Sequence, residues 1–137
     1  MKSNIHATCV NLNTKGVLIL GNSGSGKSDL ALRLITLLSA KLVSDDRTEI
    51  FNDSGVIKAK SPKILEGLLE VRGIGIIKQD YLKETKVDVV IKITSEKVER
   101  MPMPQKYQLE GVDIPLFYIN PFELSAPSKV VAALSLL

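Results

Sequence analysis

The chain has 137 residues, of which 45% are hydrophobic and 24% charged, and its formal net charge is +3. This composition is typical of one globular domain and excludes a disordered protein. Aromatic residues make up only 4% and the basic residues are scattered, which argues against a nucleic-acid partner. No apolar run approaches the ~20 residues that a membrane-spanning helix needs, and the single cysteine excludes an intrachain disulfide. We therefore expect one cytoplasmic domain over residues 1–137, without a membrane partner.

The first half of the chain predicts short strands around one helix. Strands are expected at residues 8–12 and 17–20, and the apolar spacing over residues 28–38 predicts an amphipathic helix. "KLVS" predicts a strand that ends at an acidic pair, and a further strand is expected at residues 49–51. Cys9 lies in the first, alternating stretch, where a small buried hydrophobe is the favoured interpretation.

The second half predicts more strands and two helices. Turn residues at 52–55 predict a hairpin into "GVIKAK". Ser61 as cap and Pro62 in the first turn predict a helix over residues 61–69. "GIGIIK", "VDVVIKIT" and "YQLEGVDIPLFYI" are expected to be extended, and a last helix is expected to begin at residues 125–127 and to continue through "VVAALSLL". The fold class is therefore α/β, with a mixed sheet, hairpins and few helices.

A glycine-rich loop follows the second predicted strand and matches the pattern G-x-x-x-x-G-K-[ST] completely. Glycines let the backbone bend around an anion, and the N-terminus of the following helix adds positive potential. In such loops the lysine reaches the β- and γ-phosphates, and the Ser/Thr hydroxyl ligates Mg²⁺. The loop therefore predicts binding of a nucleoside triphosphate or another phosphate. Its candidate nucleotide-binding residues are Gly21, Asn22, Ser23, Gly24, Ser25, Gly26, Lys27 and Ser28.

Asp45 and Asp46 follow "KLVS" at the expected carboxyl end of a strand, where α/β sheets hold their ligands. One carboxylate of such a pair can assist a metal while the other accepts a proton from an attacking hydroxyl. Taken alone, the pair is equally well interpreted as a solvated turn.

Two further segments contain candidate functional residues. For each segment taken alone, a structural role is favoured over a functional one. Glu70 and Arg72, before Gly73 and Gly75, can supply a metal contact and a phosphate clamp, or a surface ion pair on an ordinary hairpin. His6 is the only histidine, and a lone histidine near a chain start is usually a surface residue.

Together these segments resemble the catalytic domain of HPr kinase/phosphorylase, which phosphorylates a serine of the phosphocarrier HPr. The resemblance rests on His6, the loop "GNSGSGKS", "LVSDDR" and "LLEVRGIGII", in this order over residues 5–95. It implies a P-loop kinase of the HPr kinase/PEP carboxykinase-like type, with ATP and Mg²⁺ as cofactors and HPr or a paralogue as substrate. It also implies a homo-oligomer, since the family's enzymes are hexameric.

The resemblance also implies residue roles. Lys27 and the amides of the loop hold the nucleotide phosphates, and Ser28 ligates Mg²⁺. Asp45 resembles the general base toward the acceptor serine, and Asp46 its metal-side partner. The remaining implied roles are a metal contact for Glu70, a clamp on the transferred phosphoryl group for Arg72 and a phosphate contact for His6.

The chain departs from the family pattern after Ile114 and Pro115, where an arginine is usual and Leu116, Phe117 and Tyr118 follow instead. That region bears on the reverse reaction, so we expect kinase rather than phosphorylase activity. Two other functions stay open: a kinase for a small hydroxyl-bearing metabolite, and a nucleotide-binding regulatory module without turnover. A GTPase switch is disfavoured, because an N-K-x-D base reader does not follow the loop.

Overall fold

The computed structural model of the chain describes residues 2–137. These residues form eleven strands, two α-helices and one 3₁₀ turn. The strands are β1 Lys2–Leu12, β2 Lys15–Leu20, β3 Lys41–Ser44, β4 Arg47–Asp53, β5 Val56–Lys60, β6 Leu68–Val71, β7 Gly75–Lys78, β8 Glu84–Lys86, β9 Val89–Ile93, β10 Gln105–Leu109 and β11 Val112–Ile119. The helices are α1 Lys27–Leu38 and α2 Ala126–Leu134, and the 3₁₀ turn is Lys63–Leu65.

Nine of the strands formed by residues 2–137 make one mixed sheet. The order is β10-β11-β9-β2-β1-β4-β5-β8, with β3 paired to β1, while β6 and β7 form a separate hairpin. The β2–β9 and β9–β11 pairs are parallel, and the other pairs in the sheet are antiparallel. The predicted mixed sheet with hairpins and few helices is confirmed.

Strand β2 lies in the middle of this sheet, between β1 and β9. Its apolar run is buried on both faces, as expected for a strand with parallel pairing and a covered surface. Because β2, β9 and β11 are parallel, their carboxyl ends meet at one edge of the sheet. The segments that follow β2 and β11 therefore leave the sheet at the same edge, on either side of β9, and such folds bind ligands at this edge.

The sheet carries a hydrophobic core on each face. Leu30, Ala31 and Leu34 of α1 and Val130 of α2 pack with the central strands on one face. The other face buries a second cluster that includes Cys9, whose side chain is fully buried. Burial raises the pKa of the Cys9 thiol well above its ordinary range. The interpretation of Cys9 as a small core hydrophobe is confirmed.

The predicted helix over residues 61–69 is wrong. Only the 3₁₀ turn forms there, and the chain is already extended at Leu68. Gly67 has a φ of +74°, outside the helical region, and Ile64 is 86% exposed, so the segment buries no continuous apolar face. Residues that the pattern assigned to the end of the helix instead form cross-strand pairs between β6 and β7, such as Leu69 with Ile77.

The other elements follow the predictions with small changes. The helix expected at residues 28–38 is α1, and the last expected helix is α2. The extended stretch "YQLEGVDIPLFYI" is a hairpin of β10 and β11 that turns at Glu110 and Gly111, both at positive φ. Strand β8 was not expected. Neither α1 nor α2, nor any other helix within residues 2–137, combines the length and apolarity of a membrane-crossing segment.

Candidate active site

The loop of residues 21–28 joins β2 to α1 in a strand–loop–helix arrangement. Gly24 and Gly26 have φ values of +78° and +109°, which side-chain-bearing residues rarely adopt. Gly21 leaves no room for a side chain, because a Cβ there would lie 2.6 Å from Ile93 Cγ1. The glycines are therefore required by the local backbone, and the bend directs the loop over the N-terminus of α1.

Lys27 is the first residue of α1 and is 4% exposed. Its Nζ donates to the carbonyl oxygens of Gly21 at 2.8 Å and Asn22 at 2.9 Å, so the side chain lies along the inside of the loop. Burial lowers the pKa of Lys27, while the nearby carboxylates of Asp46 and Asp45 oppose that change. The loop thus holds a partly desolvated cation that an incoming anion would stabilise.

Asp45 lies directly beside the loop and is buried. Its Oδ1 accepts hydrogen bonds from Ser28 Oγ at 2.6 Å and Thr8 Oγ1 at 3.0 Å, and its Oδ2 accepts one from the Glu70 backbone N–H at 2.9 Å. One carboxylate therefore ties together the P-loop, β1 and β6. The interpretation of the acidic pair as a free solvated turn does not describe this residue.

Asp46 faces the other way. It is exposed, has a φ of +67°, and its backbone N–H donates to Thr8 Oγ1 at 3.1 Å. Its carbonyl accepts from the Ala7 N–H at 3.1 Å, so β1 fixes the backbone of the pair on both sides. Thr8 was missed by sequence reasoning, since a buried threonine in an alternating strand gives no signal that its hydroxyl binds the Asp45 carboxylate and the Asp46 backbone, 37 and 38 residues away.

An open cleft of about 440 Å³ lies over the N-terminus of α1. Eight predicted residues line it: Ser23, Gly24, Gly26, Lys27, Ser28, Asp46, Glu70 and Arg72. The cleft also takes in four residues outside the prediction: Asp29, Leu32, Val71 and Phe122. The structure thus brings the P-loop, one acid of the pair and the β6 segment around one space.

Five predicted residues do not line the cleft: Gly21, Asn22, Ser25, Asp45 and His6. Asp45 lies behind it, in contact with Ser28. His6 is an exposed residue of β1 that pairs with Arg47 of β4. It lies on the same face of β1 as Thr8, because residues two apart on a strand share a face. A larger hollow of about 790 Å³, between residues 95–102 and α2, contains none of the predicted residues.

The donor atoms at the cleft fit a magnesium ion. Ser28, Asp46 and Glu70 offer hydroxyl and carboxylate oxygens, which Mg²⁺ prefers. Within residues 2–137 no three His, Cys, Asp or Glu side chains form a ready-made metal cage. This agrees with the usual mode of Mg²⁺ binding, in which one or two carboxylates act together with substrate phosphates.

Comparison with known proteins decides the family. The model of the HPr Serine kinase C-terminal domain matches residues 1–133. The chain belongs to this family. The residues that carry the predicted resemblance all lie within the matched region, and the predicted family membership is confirmed.

Several curated relatives of the family are similar over part of the chain. A protein named HPr kinase/phosphorylase from Lactobacillus delbrueckii subsp. bulgaricus is 38% identical in an alignment 104 residues long, which covers 69% of this chain and 32% of that protein. One of the same name from Clostridium acetobutylicum is 39% identical in an alignment 106 residues long, which covers 72% of this chain and 34% of that protein. The chain thus spans about a third of the length of these relatives.

A solved structure supports the fold over the whole chain. The Hpr(Ser) kinase/phosphatase from Coxiella burnetii matches with a TM-score of 0.84, covering 97% of this chain and 94% of that one. The sequence identity is 22%, so this likeness concerns the fold alone.

Proposed function

We propose that this chain is a kinase domain that transfers a phosphoryl group from Mg-ATP to a serine of HPr or a paralogue, in regulation of the phosphotransferase system. The family and the names of its relatives support HPr as the acceptor. The observation that carries the proposal is the 2.6 Å hydrogen bond between Ser28 Oγ and Asp45 Oδ1. It joins the acidic pair to the P-loop at the end of the cleft where the transferred group would lie.

The phosphate-binding part of this proposal follows from the loop. The backbone N–H groups at the start of α1 and the positive end of its dipole attract the phosphate oxygens, whereas the Ser25 N–H already donates to the Asn22 carbonyl oxygen at 3.1 Å. Lys27 exchanges its two carbonyl partners for phosphate oxygens and thereby gains a charged partner for its buried ammonium group. Arg72 lines the same cleft, with its Nη2 3.6 Å from the position that a Cβ on Gly24 would take, and it is proposed to hold the phosphoryl group as it leaves the donor.

Ser28 and Glu70 are the proposed magnesium ligands, together with the metal-side acid of the pair, which the resemblance gives as Asp46. Mg²⁺, when bound, neutralises charge on the phosphate oxygens. The chain's own contribution is to fix the Ser28 hydroxyl, which Asp45 holds from behind. His6 is proposed to reach the phosphates from β1, where its backbone pairs with Arg47, the residue that follows the acidic pair, and its side chain is exposed.

The resemblance gives Asp45 the role of general base and Asp46 the metal side. One observation favours the reverse assignment. Both Asp45 oxygens already accept hydrogen bonds, one of them from Ser28, whereas Asp46 is exposed in the cleft where an acceptor hydroxyl can reach it. Because a base must lie within hydrogen-bond reach of the proton that it takes, access favours Asp46. Single-turnover kinetics distinguish the two assignments, since loss of the base removes the pH dependence of the rate and loss of the metal-side acid raises the Mg²⁺ requirement.

The remaining parts of the proposal concern the direction of the reaction, the oligomeric state and the cellular location. The apolar Leu116 and Phe117 stand where the family carries an arginine for the reverse reaction, so we propose that the forward, kinase direction dominates. Exposed Leu136 and Leu137 at the end of the chain support a homo-oligomer, a hexamer by family resemblance, which light scattering tests. The domain structure, a single catalytic domain over residues 1–137, and a cytoplasmic location stay predictions.

The experiment that tests the function is mass spectrometry of HPr after incubation with the chain, Mg²⁺ and ATP, GTP or pyrophosphate in turn. We expect a serine phosphate on HPr with the wild-type chain and at least a hundredfold slower labelling with Asp45→Asn and Asp46→Asn. Asp113→Asn is the matched control, because Asp113 is an exposed acid on β11 outside the cleft.

Three results would contradict the proposal in different ways. Equal labelling by the wild-type chain and both cleft variants would remove the acidic pair from catalysis. Phosphorylation of a small hydroxyl compound, with HPr left unmodified, would favour the metabolite kinase. Nucleotide binding without turnover on either acceptor would favour the regulatory module.

A further inference from the structure

The segment between β11 and α2 reaches the cleft and carries an exposed aromatic ring. Phe122 is 72% exposed and lines the cleft, and its Cζ lies 3.7 Å from the position that a Cβ on Gly26 would take. Of the chain's three Phe and three Tyr residues, Phe122 alone lines the cleft within residues 2–137. An isolated exposed apolar side chain needs no explanation on an ordinary surface. This ring, however, lies beside the loop that is built for phosphate.

The segment that carries the ring is fixed in place. The Phe122 N–H donates to Asn120 Oδ1 at 2.9 Å, and the Arg33 guanidinium donates to the carbonyl oxygens of Pro121 and Glu123. Arg33 in turn pairs with Asp29 of the same helix at 3.1 Å. The backbone that carries Phe122 is therefore held beside the cleft, while the ring itself stays exposed.

The cleft has two distinguishable sides. Asp45 marks the side of the transferred phosphoryl group, because it bonds to Ser28. Phe122 and Pro121 lie beside Gly26, and α1 runs from there past Asp29 and Leu32. A P-loop recognises only phosphates, so a nucleotide held by it still needs a surface for its base. An aromatic face supplies that surface by stacking, which tolerates any base and is strongest for the larger purine rings.

We propose that Phe122 is the stacking platform for the nucleobase of the donor, and that the donor is a purine nucleoside triphosphate. The inference rests on the proposed function and adds to it the class of donor. Phe122 is a positioning residue: it binds the base and takes no part in the transfer of the phosphoryl group. Stacking alone gives little discrimination between adenine and guanine, so ATP and GTP are expected to bind with similar affinity, and CTP and UTP more weakly.

The absence of tryptophan from the chain allows a direct test. In Phe122→Trp the only indole stands at the platform, and we expect its fluorescence to be quenched by Mg-ATP and left unchanged by magnesium tripolyphosphate, which has no base. By calorimetry, Phe122→Ala is expected to raise the Kd for Mg-ATP about tenfold or more and to leave the Kd for tripolyphosphate within about twofold. Phe122→Tyr is expected to restore the affinity for ATP.

Leu124→Ala is the matched control, because Leu124 is 98% exposed on the same segment and does not line the cleft. Equal weakening of ATP and tripolyphosphate by Phe122→Ala would show that Phe122 only supports the loop, and would overturn the inference. Equal affinities of the wild-type chain for ATP and UTP would also overturn the inference. An indole fluorescence of Phe122→Trp that does not change when Mg-ATP is added would do the same. If neither ATP nor tripolyphosphate binds the wild-type chain, the proposed function fails and this inference fails with it.

Discussion

The hydrogen bonds of Asp45 predict a large difference in stability between two chemically identical substitutions. Asp45→Asn replaces a buried carboxylate that accepts three hydrogen bonds, from two hydroxyls and one backbone N–H. An asparagine keeps one acceptor oxygen, so it either places its amide against the Glu70 N–H or forces both hydroxyls to turn. Each hydrogen bond to a charged acceptor is worth ~1.5–3 kcal/mol, against ~0.5–1.5 kcal/mol for a neutral one. Allowing for the smaller cost of burying a neutral amide, we expect a net loss of about 2 kcal/mol.

Asp46→Asn is the matched control for this loss. Asp46 is exposed, its carboxylate accepts no hydrogen bond from residues 2–137, and its φ of +67° suits asparagine well. We expect its free energy of unfolding to stay within about 0.5 kcal/mol of the wild-type value.

Urea denaturation followed by circular dichroism measures the difference. With a slope of about 2 kcal/mol/M, Asp45→Asn should unfold at a urea concentration about 1 M lower than the wild-type chain. The reasoning is refuted if Asp45→Asn and Asp46→Asn have the same midpoint, because Asp45 would then not hold the contacts that tie the P-loop to β1 and β6. Since both variants also test catalysis, the stability measurement separates a loss of function caused by unfolding from one caused by chemistry.

Three further predictions concern the loop and the core. Lys27→Met should abolish phosphate binding. Because burial lowers the pKa of Lys27 below its ordinary value of 10.5, the folded state binds this proton less readily than the unfolded state, so the wild-type chain should gain stability relative to Lys27→Met as the pH rises toward 10.5. Gly26→Ala should lose phosphate binding and cost about 1–2 kcal/mol, since φ is +109° and the added Cβ would lie 3.0 Å from Pro121 Cγ. Cys9 should react with a thiol reagent only as fast as the chain unfolds, because it is fully buried and burial raises its thiol pKa.

Each of these predictions has a control. A stability difference between the wild-type chain and Lys27→Met that stays constant from neutral pH to pH 10.5 would contradict the lowered pKa of Lys27. Gly55→Ala is matched to Gly26→Ala, because Gly55 also has a positive φ of +88° but its Cβ would meet no atom within 4 Å, so phosphate binding should survive. Labelling of native Cys9 at the rate of a free thiol would contradict its burial, and denaturant should accelerate the reaction of the wild-type chain.

Local signals were sufficient where one period or one motif governed a segment. The spacing of Leu30, Ala31 and Leu34 predicted α1, and the β-branched run before Gly21 predicted a buried strand. They were insufficient at residues 61–69, where a serine and a proline suggested a helix start. There the backbone at Gly67 and the pairing of Leu69 with Ile77 decided for a strand. Helix-start signals describe only the local preference, which strand pairing in the folded chain overrides.

The candidate site likewise contains residues that local sequence predicted and residues that it did not. The P-loop, the acidic pair and the Glu70–Arg72 stretch were all recognisable from the sequence, because each is a short motif whose chemistry depends on neighbouring residues. The sequence did not show that Asp45 turns inward to Ser28 while Asp46 faces the cleft. Adjacent residues acquire opposite environments only once the strand before them is packed in the sheet. Thr8 and Phe122 carried no signal for the same reason: their roles depend on residues far away along the chain.

By itself, then, the sequence determined the family, the α/β class and the phosphate-binding loop, since glycine conformations, hydrophobic periods and a contiguous motif act over a few residues. The tertiary structure alone decided which acid is buried, which hydroxyl joins the pair and which ring lies over the cleft. These depend on the meeting of β1, β6 and the segment after β11 around the start of α1, and no local pattern specifies the distance between segments that are brought together only by the packing of the sheet.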